Sequence, residues 1–184
     1  MELQPFQKRT WAEINLDAAV HNYNIIREKL NTDTKLCCVV KANGYGHGAV
    51  QLSRLYEQLG ADYLAVSNVE EGLQIRKAGI ALPILILGYT DPRCAKQLSD
   101  NNISQCVFSY EYGKRLSEYA VKFDVAVNIH IKIDTGMIFH ISAPIKEIPL
   151  KESSGFNSFS KMKPLFILSN LAESWLALLV RVNS

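Results

Sequence analysis

Short apolar runs recur along the first part of the chain, and segments with helical spacing separate them. The runs lie at residues 35–40, 63–67, 84–88, 105–109 and 127–134. Each is short, rich in branched apolar side chains and bounded by polar residues or glycine, as buried strands are. Because they lack the alternation of a half-solvated sheet, they predict strands of a parallel sheet that is covered on both faces.

The gaps between these runs predict helices. Apolar residues recur at helical spacing over residues 50–59. Asn68 with Glu71 three positions later predicts a capping box at the start of the second helix. Asp91-Pro92 predicts the start of a third helix, and residues 110–123 predict a fourth. Strands that alternate with helices indicate an α/β fold, closed either as a doubly wound sheet or as a (β/α)₈ barrel.

The two ends of the chain differ from this array. Residues 10–16 alternate apolar and polar side chains and predict one strand, after which Asp17 is expected to cap a helix through Leu30. After Gly136 the alternation of strands and helices stops. Residues 151–163 are polar and predict a loop, and the apolar run 165–182 predicts a helix.

Composition excludes several classes of protein. Apolar residues make up 48% and charged residues 21%, which is ordinary for a globular chain. Twenty basic against eighteen acidic side chains, with no basic run, argue against nucleic acid as a partner. The ten residues at the start are polar rather than leader-like, and residues 165–180 are too few to span a bilayer. We therefore expect a cytoplasmic protein without a membrane partner.

The cysteines and histidines predict no metal site. Four cysteines are present without a CxxC pair, and no two histidines have ligand spacing. The cysteines lie in or near apolar runs, so they are expected to be buried free thiols. His47 is interpreted as a loop residue rather than a catalyst.

The segment that carries chemistry is Val-Val-Lys-Ala-Asn-Gly-Tyr-Gly-His-Gly, residues 39–48. An apolar strand ends in Lys41, and a loop with three alternating glycines follows. Ligands of parallel α/β folds bind at the carboxyl ends of strands, where a lysine amine can form a Schiff base with a carbonyl. Tyr45 adds a phenol that can hydrogen-bond a phosphate. The alternative is a solvated lysine on a tight connection, and spacing alone does not decide between the two.

The whole string resembles the cofactor-lysine signature of the alanine racemases, the fold-type III enzymes that use pyridoxal 5′-phosphate. Residues 10–17, 64–73, 83–88 and 130–137 resemble successive parts of the same family in the same order. The resemblance implies a TIM-type barrel, of which residues 1–136 would supply about five of the eight βα units. Residues 137–184 form a divergent tail without a recognisable domain. In the family, a second, mainly β domain follows the barrel and the enzyme is a homodimer.

The resemblance also implies roles for three residues. Lys41 matches the lysine that holds the cofactor as an internal aldimine and then acts as an acid/base group. Tyr45 matches a tyrosine that hydrogen-bonds the cofactor phosphate. Lys132 matches a lysine that is carbamylated in some members, where it orients a nearby arginine; the alternative is a strand lysine in a polar barrel end. The implied reaction is the interconversion of L- and D-alanine, which supplies D-alanine for peptidoglycan.

The match ends abruptly after Met137. The arginine expected there is absent, and so is the family's second base, a tyrosine of the second domain. The tail carries the whole net charge of +2 and eight serines, so we expect a truncated product that arises from an altered reading frame. Serine or broad-specificity racemases share the motif. A non-catalytic single-barrel carrier of pyridoxal phosphate is the alternative function, but the loop after Lys41 fits the racemase better.

A partial barrel is expected to be marginally stable, because it leaves open strand edges and an uncovered interior face. We predict that the chain aggregates readily and lacks meaningful racemase activity. Light scattering and chemical unfolding test the first expectation. A monodisperse sample with one cooperative unfolding transition would contradict it.

Overall fold

The computed structural model describes residues 12–132 and two later strands, residues 165–169 and 178–180. The strands are β1 (Lys35–Val39), β2 (Tyr63–Val66), β3 (Ile84–Ile86), β4 (Ile103–Val107), β5 (Ile129–Ile131), β6 (Leu165–Ser169) and β7 (Leu178–Val180). The helices are α1 (Leu16–Lys29), α3 (Ala49–Gln58), α4 (Val69–Lys77), α5 (Ala95–Asp100) and α6 (Tyr110–Lys122), and α2 (Lys41–Tyr45) is a short left-handed turn between β1 and α3. A 3₁₀ turn, Pro92–Cys94, precedes α5.

Five strands that alternate with helices form the parallel sheet that the apolar runs predicted. The order in the described sheet is β5-β4-β3-β2-β1-β6-β7, so β1 to β5 are neighbours in chain order. Their pairs are all parallel, with Cys37 opposite Tyr63 and Gln105 opposite Ile129 at the two ends of this series. The predicted partial barrel is thereby confirmed over these units.

Side chains on the two faces of the sheet enter two separate apolar clusters. Leu36, Cys38 and Val40 pack with helix residues such as Leu52 and Ile75 in the larger cluster. The alternate residues of β1 and β2 form a smaller cluster on the opposite face, made of Cys37, Val39 and Ala65 with Tyr45, Tyr63 and Leu87 packed against it. Burial on both faces explains why the strands are apolar without interruption.

The sheet curls towards the smaller cluster. Tyr63 of β2 meets His130 of β5 with ring centroids 5.7 Å apart, although β3 and β4 lie between them in the sheet. Three strand spacings in a flat sheet would separate these positions by roughly 14 Å. The face that carries Tyr63 and His130 is therefore concave, as the interior of a barrel is.

The strand predicted at residues 10–16 is not formed in its described part. Residues 12–15 are exposed and have no strand partner, and α1 already begins at Leu16. The helix starts there because the Asn15 side chain accepts a hydrogen bond from the Ala18 N–H at 3.2 Å. Asn15, rather than Asp17, is the N-cap, and Asp17 lies in the first turn.

The helix predicted at residues 165–182 is also wrong in its described part. Strand β6 pairs in parallel with the free edge of β1, from Lys35 opposite Leu165 to Val39 opposite Ser169, and β7 pairs antiparallel with β6. Short apolar runs do not distinguish a buried strand from a helix, and here an unpaired strand edge supplies backbone partners. One of the two open edges expected for a partial barrel is thus covered. The loop predicted at 151–163 lies outside the described residues.

The Arg76 side chain, near the end of α4, hydrogen-bonds the backbone just before two strands. Its guanidinium donates to the carbonyls of Ile80 and Leu82 before β3, at 2.8 and 2.7 Å, and to those of Asn101 and Asn102 before β4, at 2.8 and 2.9 Å. Arginine fits this place because its planar head carries five donors, whereas lysine carries three on one nitrogen.

We predict that Arg76→Ala lowers the free energy of unfolding by about 2 kcal/mol, since four carbonyls lose a charged donor. Urea denaturation of the full chain measures the change. Lys77→Ala is the matched control, because Lys77 is the next residue of α4 and is exposed. Equal stability of the two variants would show that the four bonds contribute little.

Candidate active site

Lys41 lies at the carboxyl end of β1, where the sequence places it. Its amine is 5.9 Å from the centroid of the Tyr45 ring. Tyr45 in turn packs against the concave-face cluster of Cys37, Val39 and Ala65. The structure therefore brings together two of the three predicted site residues, an amine and a phenol, above an apolar layer.

The backbone between these two residues follows a left-handed path. Residues 42 to 46 all have positive φ, and three of them, Ala42, Asn43 and Tyr45, are not glycine (φ 51°, 54° and 54°). Residues with a Cβ avoid this region at a cost of roughly 1–2 kcal/mol each, with Asn the most tolerant. Several such residues in sequence are found where surrounding contacts hold the backbone, which is typical of functional sites.

Contacts from the α3 side hold this left-handed turn. The Asn43 side chain accepts from the Ala49 N–H at 3.0 Å, and a ring nitrogen of His47 lies 3.0 Å from the Gly44 carbonyl oxygen. A Cβ on Gly44 would lie 3.0 Å from Leu52 Cδ1, so glycine allows α3 to approach. His47 thus takes part in the loop, in agreement with its interpretation as a loop residue.

A carboxylate holds the turn from the other side. The Glu71 side chain accepts from the Ala42 N–H at 2.8 Å and from the Ser67 N–H at 2.7 Å. The Asn68 side chain accepts from the Glu71 N–H at 3.0 Å, which confirms Asn68 as the cap of α4. The reciprocal bond of a capping box is replaced, because the Glu71 carboxylate reaches Ser67 and the lysine loop instead of the Asn68 N–H.

Three of the four cysteines lie on strands of the sheet, on one face or the other, and are buried. Burial raises the pKa values of the Cys37 and Cys38 thiols far above their ordinary range, and it raises that of Cys106 to about 11. These thiols are therefore protonated near neutral pH. All four cysteines are free, as expected, but Cys94 is only half-buried.

Lys132 is placed at the carboxyl end of β5, away from the pair Lys41 and Tyr45. Its N–H donates to the Val107 carbonyl at 2.9 Å, and its side chain is exposed. Its positive charge opposes the effect of burial on the pKa of Cys106. β1 and β5 stand at opposite ends of the five-strand series, so three strands lie between Lys132 and Lys41 in the sheet.

Sequence reasoning missed the structural roles of Asn43 and Glu71. Asn43 is part of the motif, and its tolerance of positive φ is the signal that was available. Glu71 was interpreted only as a helix cap, because its two acceptor contacts depend on the packing of α4 against the ends of β1 and β2.

No described helix has the length and apolar character needed to cross a bilayer. Within the same residues, no group of three His, Cys, Asp or Glu side chains is arranged to hold a metal ion.

Comparison with known proteins agrees with this arrangement. The family model described as "Alanine racemase, N-terminal domain" matches residues 14–138. An alanine racemase of Desulfovibrio desulfuricans is 46% identical over 132 residues, which are 72% of this chain and 36% of that protein.

Solved structures show the same likeness. Alanine racemase of Clostridium difficile 630 in complex with cycloserine has a TM-score of 0.66 at 43% identity, over 70% of this chain and 34% of that one. Alanine racemase of Bacillus anthracis with bound L-Ala-P has a TM-score of 0.69 at 34% identity, over 78% and 36%. The chain thus spans about a third of the length of these relatives. Because the family model covers most of its length, the chain belongs to the alanine racemase family.

Proposed function

We propose that this chain carries the cofactor-binding lysine of a pyridoxal-phosphate-dependent alanine racemase, and that Lys41 is that lysine. The observation that carries the proposal is the position of the Lys41 amine at the carboxyl end of β1, beside the Tyr45 ring and the concave apolar cluster. The relatives, which are named alanine racemases, support the same reaction. As part of the same proposal, residues 1–136 are the amino-terminal part of the racemase barrel and residues 137–184 are a divergent tail.

The residues present fit the cofactor. Pyridoxal phosphate offers an aldehyde, a phosphate and a flat ring, and this end of the sheet offers an amine, a phenol and apolar side chains. In the described part of the chain, no carboxylate forms an ion pair with Lys41; the ion pairs there are Arg93 with Asp91 and Lys96 with Asp100. Lys41 would hold the aldehyde, Tyr45 the phosphate, and Val39 and Ala65 the apolar side of the ring.

The chain's own contribution to the reaction is a proton-transfer group at a defined place. When bound, the cofactor withdraws electrons from the α-carbon of the amino acid and so lowers the barrier to loss of its proton. The Lys41 amine, once it no longer holds the cofactor, accepts that proton at Nζ and returns it. One amine serves one face of the α-carbon, so inversion requires a second group on the other face, which the family resemblance assigns to a tyrosine of the second domain.

Lys132 is the proposed supporting residue. Its side chain is exposed at the carboxyl end of β5, the end of the sheet at which Lys41 lies. The exposed lysine cation first loses one proton to give a neutral amine, which can add to carbon dioxide with loss of a second proton, so that a carbamate anion replaces the cation. In the family this carbamate would orient an arginine, and the sequence that follows Met137 has no match to that arginine.

We predict that Lys41→Ala abolishes covalent attachment of pyridoxal phosphate. The full chain is mixed with the cofactor, its visible absorbance is recorded, and borohydride reduction followed by peptide mass analysis locates the modified residue. Lys41→Arg retains the charge but cannot attach the aldehyde, because its guanidinium does not lose its proton. Lys35→Ala, at the other end of β1, is the control, and it is expected to retain the visible absorbance band of the attached cofactor. Attachment in the Lys41→Ala variant equal to wild type would overturn the assignment.

Tyr45→Phe is expected to weaken binding of pyridoxal phosphate about tenfold, since a hydrogen bond to an anion is lost. Titration monitored by absorbance measures the dissociation constant. Pyridoxal, which lacks the phosphate, is the matched ligand, and its affinity is expected to be the same in wild type and variant. A loss of equal size for both ligands would assign Tyr45 to the ring or the loop rather than to the phosphate.

Incubation of the full chain with the cofactor and L-alanine in deuterium oxide distinguishes a racemase from a non-catalytic carrier of pyridoxal phosphate. A racemase exchanges the α-proton and inverts the configuration of L-alanine, which nuclear magnetic resonance and chiral chromatography measure. Exchange without inversion would indicate that Lys41 acts without a second base. A Lys41-dependent band with neither exchange nor inversion would favour the carrier.

A further inference from the structure

Glu71 lies between the site lysine and the end of the neighbouring strand. We propose that Glu71 is the positioning residue for Lys41. Its carboxylate holds the peptide that follows the lysine against the end of β2, and so sets the direction in which the Lys41 side chain extends from β1. The inference rests on the proposed function of Lys41 as the cofactor-binding residue.

The two oxygens of the carboxylate bind two different loops. One accepts from Ala42, the residue directly after Lys41, at 2.8 Å. The other accepts from Ser67, the residue directly after β2, at 2.7 Å. β1 and β2 are paired in register, with Val39 opposite Ala65. Glu71 therefore links the loops that follow β1 and β2, directly beyond the point where the two strands are paired.

The side chain at this position must be a carboxylate of this length. Both partners are backbone N–H donors, so both oxygens must accept, and glutamine would set an NH₂ group against one of them. Aspartate retains two acceptors but is one methylene shorter. Glu71 also lies in the first turn of α4, whose amino-terminal dipole favours a negative charge there.

The contact acts on the backbone path of the lysine. Ala42 begins the left-handed turn with φ 51°, a conformation that a residue with a Cβ adopts only when it is held. The Glu71 bond supplies a charged acceptor to the N–H of that residue. Without it, Ala42 is free to return towards the ordinary regions of φ and ψ, and the direction of the adjacent Lys41 side chain changes with it.

Glu71 does not act as a direct partner of the amine. Within residues 12–132, the ion pairs are Arg93 with Asp91 and Lys96 with Asp100, and Lys41 is instead beside the Tyr45 ring. The effect of Glu71 is therefore expected in the geometry of the loop and in cofactor attachment, without a change of the group that reacts.

The test compares Glu71→Gln, Glu71→Asp and the control Glu70→Gln in the full chain. Glu70 is the preceding residue of α4 and is exposed, so its variant makes the same change of charge in the same helical turn. Absorbance titration measures the dissociation constant for pyridoxal phosphate, and amide hydrogen exchange measures the protection of Ala42 and Ser67. Circular dichroism establishes that each variant is folded.

Glu71→Gln is expected to weaken cofactor attachment by about tenfold or more and to speed exchange at Ala42 and Ser67, while Glu70→Gln matches wild type. Glu71→Asp, which keeps both acceptors, is expected to fall between the two, and it decides the matter if Glu71→Gln fails to fold. A loss of protection together with unchanged affinity would overturn the positioning role. So would a Glu71→Asp protein weaker than Glu71→Gln.

The same experiment separates this inference from the proposed function. If wild type forms no Lys41-dependent band, the proposed function fails and the inference falls with it. If wild type forms the band and Glu71→Gln binds the cofactor equally well, only the role of Glu71 is wrong.

Discussion

The site depends on a left-handed backbone path that begins directly after β1. Five residues in sequence have positive φ, and Ala42 and Tyr45 carry side chains that disfavour it. The path persists because contacts from two helices hold it: Asn43 is bonded to the start of α3, and Ala42 is bonded to Glu71 of α4. The position of Lys41 is thus a property of the packed βα units around it rather than of its own loop.

Helix α4 connects both ends of the sheet. Glu71, in its first turn, contacts the carboxyl ends of β1 and β2, and Arg76, near its last turn, contacts the segments before β3 and β4. The negative group stands at the helix amino terminus and the positive group near its carboxyl terminus, as the helix dipole favours. One short helix therefore links the site ends of β1 and β2 to the opposite ends of β3 and β4.

The sequence predicted the five parallel strands and the helices between them because buried strands and amphipathic helices have different periods and carry their own start and stop signals. It failed at residues 12–15 and 165–169, where the outcome depends on whether a strand partner is available. Lys41 and Tyr45 were predicted from a motif with a chemical reason. The contact of Glu71 with Ala42 was not, because it joins positions 29 residues apart in the chain and because Ala42 has no intrinsic preference for positive φ.

The pairing of β6 with β1 has a consequence for the order of folding. Partners within the first five strands are 19 to 26 residues apart, whereas 130 residues separate Lys35 from Leu165. Closing the longer loop costs more chain entropy and is slower, so the five-strand array is expected to assemble before β6 arrives. Until then β1, the strand that leads to the site lysine, presents an open apolar edge to other chains. Dilution and low temperature during refolding thus protect this edge, because they slow encounters between chains and weaken apolar association.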